Sequence, residues 1–189
     1  MSKLAAKKSK SKEWLNILAP DYFDSMELGK TLADERERIV GRRITVSALN
    51  LVEDTDKFYM KFFFKIMKLD GTNAITEFDG SECLRDYISR MVLRRVSRID
   101  TVQDLKTKDG KLLRVKGLAV ISRKAKRNVQ LSVKARIFEI VKSLVEESTL
   151  PEFIEELLSD EFKKTVLGEV RRIYPVRNFE IRKTQVLKH

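Results

Sequence analysis

The groups in this chain with chemistry to do are cations. Arg90, Arg94, Arg95 and Arg98 follow one another with no acid between Tyr87 and Ile99. Arg123, Lys124, Lys126, Arg127, Lys134 and Arg136 fall in a second stretch, Ser122 to Phe138, that also holds no acid. A solvated protein face normally interleaves the two signs. Runs of a single sign suit phosphate instead, because a guanidinium forks onto two phosphate oxygens and a helix starting near Asn128 would add backbone N–H donors. Lys3, Lys7, Lys8, Lys10 and Lys12 crowd the N-terminus, again without an acid, which predicts a basic arm over residues 1–13 that is flexible when free and orders against phosphate.

Other chemistries find little support. The chain lacks the phosphate-loop pattern G-x-x-x-x-G-K-[ST], the dinucleotide pattern G-x-G-x-x-G and the zinc-protease pattern H-E-x-x-H. Its one cysteine, Cys83, can form neither an internal disulfide nor a multi-thiolate metal site, and its one histidine, His189, is the last residue. Cys83 reads as a small buried hydrophobe. Asp54, Asp56, Asp86 and Asp100 offer carboxylates for Mg²⁺, yet any chain with 28 acids contains such pairs. The expectation is therefore no catalytic residue, no metal and no cofactor.

The overall balance agrees. In 189 residues there are 39 Lys and Arg against 28 Asp and Glu, a formal net charge of +11 that calls for a polyanion, either nucleic acid or an anionic membrane. Seven acids and no base lie between Glu146 and Glu161, so the rest of the chain carries +18 and one lobe, at about residues 146–168, is acidic. The N-terminus lacks the apolar segment of a secretory signal, and no apolar run approaches the roughly 18 residues needed to span a bilayer. A soluble, intracellular protein with no membrane partner is expected.

The elements that must position these cations follow from hydrophobic period. Pro20 interrupts the aromatic stretch Trp14 to Phe23, which predicts a strap without regular structure. Ile44, Val46 and Ala48 alternate with polar residues, and Phe58, Met60, Phe62, Phe64 and Ile66 alternate with Lys61 and Lys65, predicting two half-buried strands. Tyr59 or Phe63, on the lysine face, could alternatively stack on nucleobases. Asp70 to Asn73 is a turn leading to a return strand over Ala74 to Phe78. Leu84, Tyr87, Ile88, Met91 and Val92 predict a helix capped near Ser81, with Glu82 in its first turn. Asp109-Gly110 joins strands over Val96 to Lys106 and Lys111 to Ser122. Helices over Gln130 to Glu147, Pro151 to Leu158 and Asp160 to Gly168 precede a last strand from Tyr174 to Leu187. The class is α+β, with an antiparallel sheet flanked by helices in one domain over residues 14–189.

Several ordered runs resemble the archaeal and eukaryotic small-subunit ribosomal protein family called S-three-Ae, or eS-one. They are Val40-Gly41-Arg42, Thr76-x-Phe78-x-Gly80 leading to Arg85-Asp86, Asp109-Gly110-x-Leu112-Leu113-Arg114, Lys126-Arg127-Asn128, and Ile173-Tyr174-Pro175 with Arg182-Lys183 and Leu187. Thr45, Ala48 and Asn50 depart from the family's usual run after the first Gly-Arg pair, and the stop soon after Leu187 resembles the shorter archaeal form. The resemblance implies a barrel-like sheet and no catalysis. It also implies a place on the small-subunit platform near the rRNA 3′ end and the mRNA exit, in the cytoplasm. Partners would be rRNA and neighbouring platform proteins, with mRNA and initiation factors in reach. The contacts carried over are Arg42, Arg85, Arg114, Lys126, Arg127, Arg182 and Lys183, while Gly41, Gly80 and Gly110 serve backbone geometry. Arg43, beside Arg42, and Arg177, in the last strand, complete the candidate RNA contacts.

Overall fold

The computed structural model describes residues 12–33, 36–51 and 57–188. Lys3, Lys7, Lys8 and Lys10, and with them Asp54, Asp56 and His189, lie outside the described residues. Among the described residues eight strands form one sheet, joined by four α-helices.

The expected strap, Trp14 to Phe23, is in its first half a regular strand, β1 (Glu13–Leu18), which pairs antiparallel with β2 (Glu27–Ala33). Leu15 and Ile17 alternate inward, and Pro20 sits beyond the strand end, where the missing N–H costs no ladder bond. Strands β3 (Arg43–Ser47), β4 (Met60–Asp70) and β5 (Asn73–Cys83) follow as antiparallel neighbours. Met60, Phe62, Phe64 and Ile66 are buried on one face of β4 as their alternation requires. Phe58, expected on that face, precedes the strand and is exposed. Phe62 and Phe64 meet Phe23 and Phe78 in edge-on and tilted ring contacts 5.7–6.4 Å between centroids. Truncating one such ring to alanine typically costs about 3–5 kcal/mol.

One edge of β5 pairs with β4, and the other is shared between β1 at Asn73–Ile75 and β8 (Val176–Lys188) at Gly80–Glu82. Beyond β8 come β7 (Leu112–Ile121) and β6 (Ser97–Lys106), paired as a hairpin. The β1–β5 pairing is parallel, so the sheet is mixed and not wholly antiparallel as expected. It is also open, since no pairing among the described residues joins β6 back to β2 or β3.

The helix expected to begin after Gly80 begins later, as α1 (Arg85–Met91) with Leu84 at its N-cap. Ser81 and Glu82 remain in β5, whose Ser81 N–H donates to Thr184 Oγ1 at 2.9 Å. Gly80 is what lets β8 approach: a Cβ there would lie 2.3 Å from the Thr184 carbonyl oxygen, and φ is +155°.

The hairpin β6–β7 holds ten residue pairs, a length of about 31–34 Å at strand rise. Helix α2 (Arg127–Glu147) has 21 residues and spans about 31 Å at helical rise. It follows β7 after a connection of five residues and packs on β6, burying Val133, Ile137, Val141 and Val145 at helical spacing. Its far end is fixed to the hairpin tip, where the Lys108 N–H donates to the Ser148 carbonyl at 3.1 Å and the Leu150 N–H to Asp109 Oδ2 at 2.8 Å. Two shorter helices run back: α3 (Leu150–Ser159), opened by a Thr149–Glu152 capping box, and α4 (Glu161–Arg171).

Where α4 meets β8 and α1, charge is buried. Glu180 accepts hydrogen bonds from Lys163 and from the Tyr87 hydroxyl, and Tyr87 stacks on Tyr59 at 3.8 Å. Burial raises the Glu180 carboxyl above its usual range, opposed by Lys163 and Tyr87. Lys57, also buried, ion-pairs with Asp160 at 2.5 Å.

The close contact at Gly80 and the open space at Gly168 give opposite expectations. Gly80→Ala should destabilise the fold by about 2–4 kcal/mol through strain in the β5–β8 pairing. Gly168→Ala, on an exposed turn of α4 where an added methyl would meet nothing within 4 Å, should stabilise by about 0.5–1 kcal/mol. Urea midpoints of the two variants against the parent check both signs.

Candidate nucleic-acid interface

The register gathers cations that are far apart in sequence. Ser97 at the start of β6 pairs with Ile121 at the end of β7, and Ile121 pairs with Val176 at the start of β8. Arg94, Arg95 and Arg98 therefore share one end of the sheet with Arg123, Lys124, Lys126, Arg127 and Arg177. The loops are tied directly, since the Ala125 N–H donates to Ser97 Oγ at 3.1 Å. Arg90 joins them from the last turn of α1, which is held to β8 by the contact of Asn178 Nδ2 with Met91 Sδ at 2.8 Å. Helix α4 brings two more, Arg171 and Arg172, and Arg171 Nε donates to the Val176 carbonyl at 3.2 Å.

This end of the molecule is a basic pole. Arg90, Arg94, Arg95, Arg123, Lys124, Lys126, Arg127 and Arg177 form no ion pair with any described residue, whereas Arg98 is held by Asp100 through bonds of 2.9 and 2.8 Å. The start of α2 adds to the field. Its N-cap is Lys126, without a side-chain cap, and its first turn has no acid, so cations sit at the positive end of the helix dipole. Arg95 adopts φ = +67°, a strained choice for a non-glycine residue. Uncapped N–H groups, like charges and a strained backbone together describe a surface that gains free energy when an anion arrives.

A groove leads from this pole across the sheet. Arg85, Arg98, Arg182 and Lys183 line a space of about 370 Å³ floored by Glu82 and Cys83. An adjoining hollow of about 300 Å³ shares Glu82, Cys83 and Arg85 and adds Thr45, Lys61 and Phe63. Strand register explains the adjacency, because Ser47, Lys61, Glu82, Lys183, Lys116 and Val102 are successive cross-strand partners. The next row runs Thr45, Phe63, Gly80, Gln185, Arg114 and Asp104. This polar face is the one opposite Phe62 and Phe64 on β4. Phe63 is half-buried under Arg43, whose guanidinium carbon is 5.0 Å from the ring centroid, while Tyr59 is buried against Tyr87.

Other candidates lie elsewhere or are engaged within the chain. Arg43 pairs with Asp79, and Arg42 donates to Thr31 Oγ1 at 2.6 Å. Arg114 makes two bonds to Asp104, of 2.6 and 2.7 Å, which hold that carboxyl below its usual range. Arg136 bridges Glu139 and Glu169 at 3.1 and 2.9 Å. Lys134 lies over the Phe138 ring, and Lys183 is paired with Glu82 at 3.0 Å. Lys12 is exposed just before β1. Arg171, Arg172, Lys61 and Lys116 were missed in the sequence. The pair Arg171-Arg172 immediately precedes the Ile173-Tyr174-Pro175 run, and Lys61 was visible as the polar side of β4. Lys116 required the register. No group of three or more His, Cys, Asp or Glu capable of holding a metal occurs among the described residues, and no helix among them is long and apolar enough to cross a membrane.

Fold and surface together define an α+β binding protein with its cations gathered at one pole and along a sheet groove. The model of the Ribosomal S3Ae family matches residues 2–189, and the chain belongs to that family. The chain is similar to proteins named small ribosomal subunit protein eS1. The one from Methanopyrus kandleri is 40% identical over 185 residues, covering 96% of this chain and 88% of that one. That of Sulfurisphaera tokodaii is 34% identical over 188 residues, covering 99% and 97%, and that of Desulfurococcus amylolyticus 33% over 180 residues, covering 95% and 84%. The family is one of structural ribosomal proteins rather than enzymes.

Cys83, on the groove floor, is buried, and its thiol donates to the Ile181 carbonyl at 3.1 Å. Burial, reinforced by Glu180, pushes the thiol up to about 12, far from a reactive thiolate at neutral pH. A disulfide reagent at pH 8 should label Cys83 about a hundredfold or more slowly in the native protein than in the urea-unfolded chain. Comparable rates in the two states would mean that the groove floor opens readily.

Proposed function

We propose that this protein is a structural constituent of the small ribosomal subunit that binds ribosomal RNA through the basic pole and the adjoining groove. The reading extends to its place on the platform, near the rRNA 3′ end and the mRNA exit, within cytoplasmic ribosomes. Residues 14–189 act as one RNA-binding domain, and the lysine arm of residues 1–13 adds phosphate contacts. Neighbouring platform proteins meet the remaining surface, and outgoing mRNA and initiation factors come within its reach.

The observation that carries this reading is the convergence of cations from α1, β6, the β7–α2 loop and β8 at one end of the sheet, where Asp100 pairs with Arg98 and Glu169 with Arg172. Unneutralised guanidinium groups repel one another and stay together only because the fold holds them. Folded RNA supplies phosphates at matching density, and no base-reading module is needed for recognition by shape and backbone. The names of the archaeal relatives point to the same particle.

Replacing Arg94, Arg95, Arg123 and Lys124 with glutamine tests the pole directly. Each lost phosphate contact should reduce the slope of log affinity against log salt by about 0.7–0.9, so the quadruple variant should bind small-subunit rRNA far less steeply. Arg114→Gln, which removes a cation already committed to Asp104, should change that slope little. Filter binding across a salt series measures both. The reading fails if the parent protein binds small-subunit rRNA no better than an unrelated RNA of equal length at moderate salt, or does not sediment with small subunits after a high-salt wash.

A further inference from the structure

On the acidic side, the turn from Asp21 to Ser25 lies across from α3 and leaves a groove of about 350 Å³ between them. Tyr22, Met26, Leu51, Ile154 and Leu158 supply apolar walls, while Asp24 and Glu155 stand among them. The walls are built in. The Tyr22 hydroxyl accepts the Phe78 N–H at 3.3 Å, and Phe23 is anchored edge-on to Phe64 at 5.7 Å. Asp24 and Ser25 both take left-handed backbone conformations, φ +53° and +48°, which turn the chain sharply and leave Met26 42% exposed.

The charge lining this groove is one-sided: it holds the carboxylates Asp24 and Glu155 and no Lys or Arg. No Lys or Arg occurs from Glu146 to Glu161, the segment that gives the groove Pro151, Ile154, Glu155 and Leu158. An apolar slot bordered by carboxylates repels RNA and favours a cationic polypeptide. Its volume accepts one or two side chains, not a folded face, and so an extended segment.

We propose that this groove docks an extended Lys- and Arg-rich segment of a partner protein, whose cations pair with Asp24 and Glu155 while an apolar side chain enters between Tyr22, Met26 and Leu158. The site stands apart from the basic pole and does not depend on the RNA reading. Basic extended segments bind through a few apolar anchors plus charge pairing, the combination this surface offers.

Fluorescence anisotropy with the full chain tests it, using a labelled synthetic peptide of about 14 residues rich in Lys and Arg and carrying a pair of leucines. Glu155→Lys and Met26→Ser, both at exposed positions, should each weaken peptide binding about tenfold with the melting temperature and RNA affinity unchanged. A peptide of equal charge with serine in place of leucine should bind about fivefold or more weakly. Equal binding of the two peptides, or no effect of Met26→Ser, overturns the proposal. So does a concentration-dependent dimer abolished by Glu155→Lys, which would give the groove to a second copy, or displacement of the peptide by RNA through these same residues. Peptide binding that persists while RNA binding fails supports this site and sinks the RNA reading alone.

Discussion

The match in length between the β6–β7 hairpin and helix α2 governs the rest of the molecule. The helix is about 31 Å long and the hairpin about 31–34 Å, and each end of the helix is fixed to an end of the hairpin. At one end the five-residue connection from β7 leaves Lys126 and Arg127 beside the open strands. At the other, the bonds of Lys108 and Asp109 to Ser148 and Leu150 hold the helix to the turn. Charge that is merely alternating blocks in sequence thus becomes two poles. The helix dipole opposes the fixed charge at both: cations surround its positive end and acids its negative end. Within the acidic cluster Glu152 caps α3 and Asp160 pairs with Lys57, whereas the unpaired cations of the basic pole do nothing for the free chain's fold and are placed for something outside it.

The fold can carry these poles because its core does not depend on them. The rings of Phe62, Phe64 and Phe78, the inner side of α2 and the buried faces of α3 and α4 form a continuous apolar cluster. The buried ion pairs do a different task. Glu180 is reached by Lys163 from α4 and by Tyr87 from α1, so one carboxylate on β8 fixes the seating of two helices. Burying such a pair returns little net stability, because desolvation offsets attraction. Its geometry nonetheless orients α1, whose N-terminal Arg85 and C-terminal Arg90 border the groove and the pole.

How much of this was legible in the sequence depends on the range of the interaction. The inward face of β4, the Asp109-Gly110 hairpin and all three later helices follow from local period and turn chemistry. Gly41, Gly80 and Gly110 also serve backbone geometry as expected, each with positive φ. β1 was hidden because its second neighbour is β5, joined in parallel across more than fifty residues of chain. Ser81 looked like a helix cap because serine before an apolar helical pattern usually is one; the requirement of β8 for a bare Gly80 backbone extended the strand instead. Phe58 continued an alternation that the strand itself does not reach.

The site shows the same division. Acid-free runs were visible, but their convergence at Ser97, Ile121 and Val176 required the register. So did knowing which arginines are already committed. A hairpin centred on Asp109 places the residues five before and five after it opposite one another, which brings Asp104 to Arg114. Arg98 and Asp100, two apart on a strand, share a face and pair for the same reason. Both arginines count fully in a sequence inventory and only partly in the field that a polyanion meets. Arg136 is reduced likewise by Glu139 and Glu169, although its run contains no acid, because α4 folds back along α2. Net charge therefore sets the sign of the partner, while strand register and helix packing decide which cations remain to hold it.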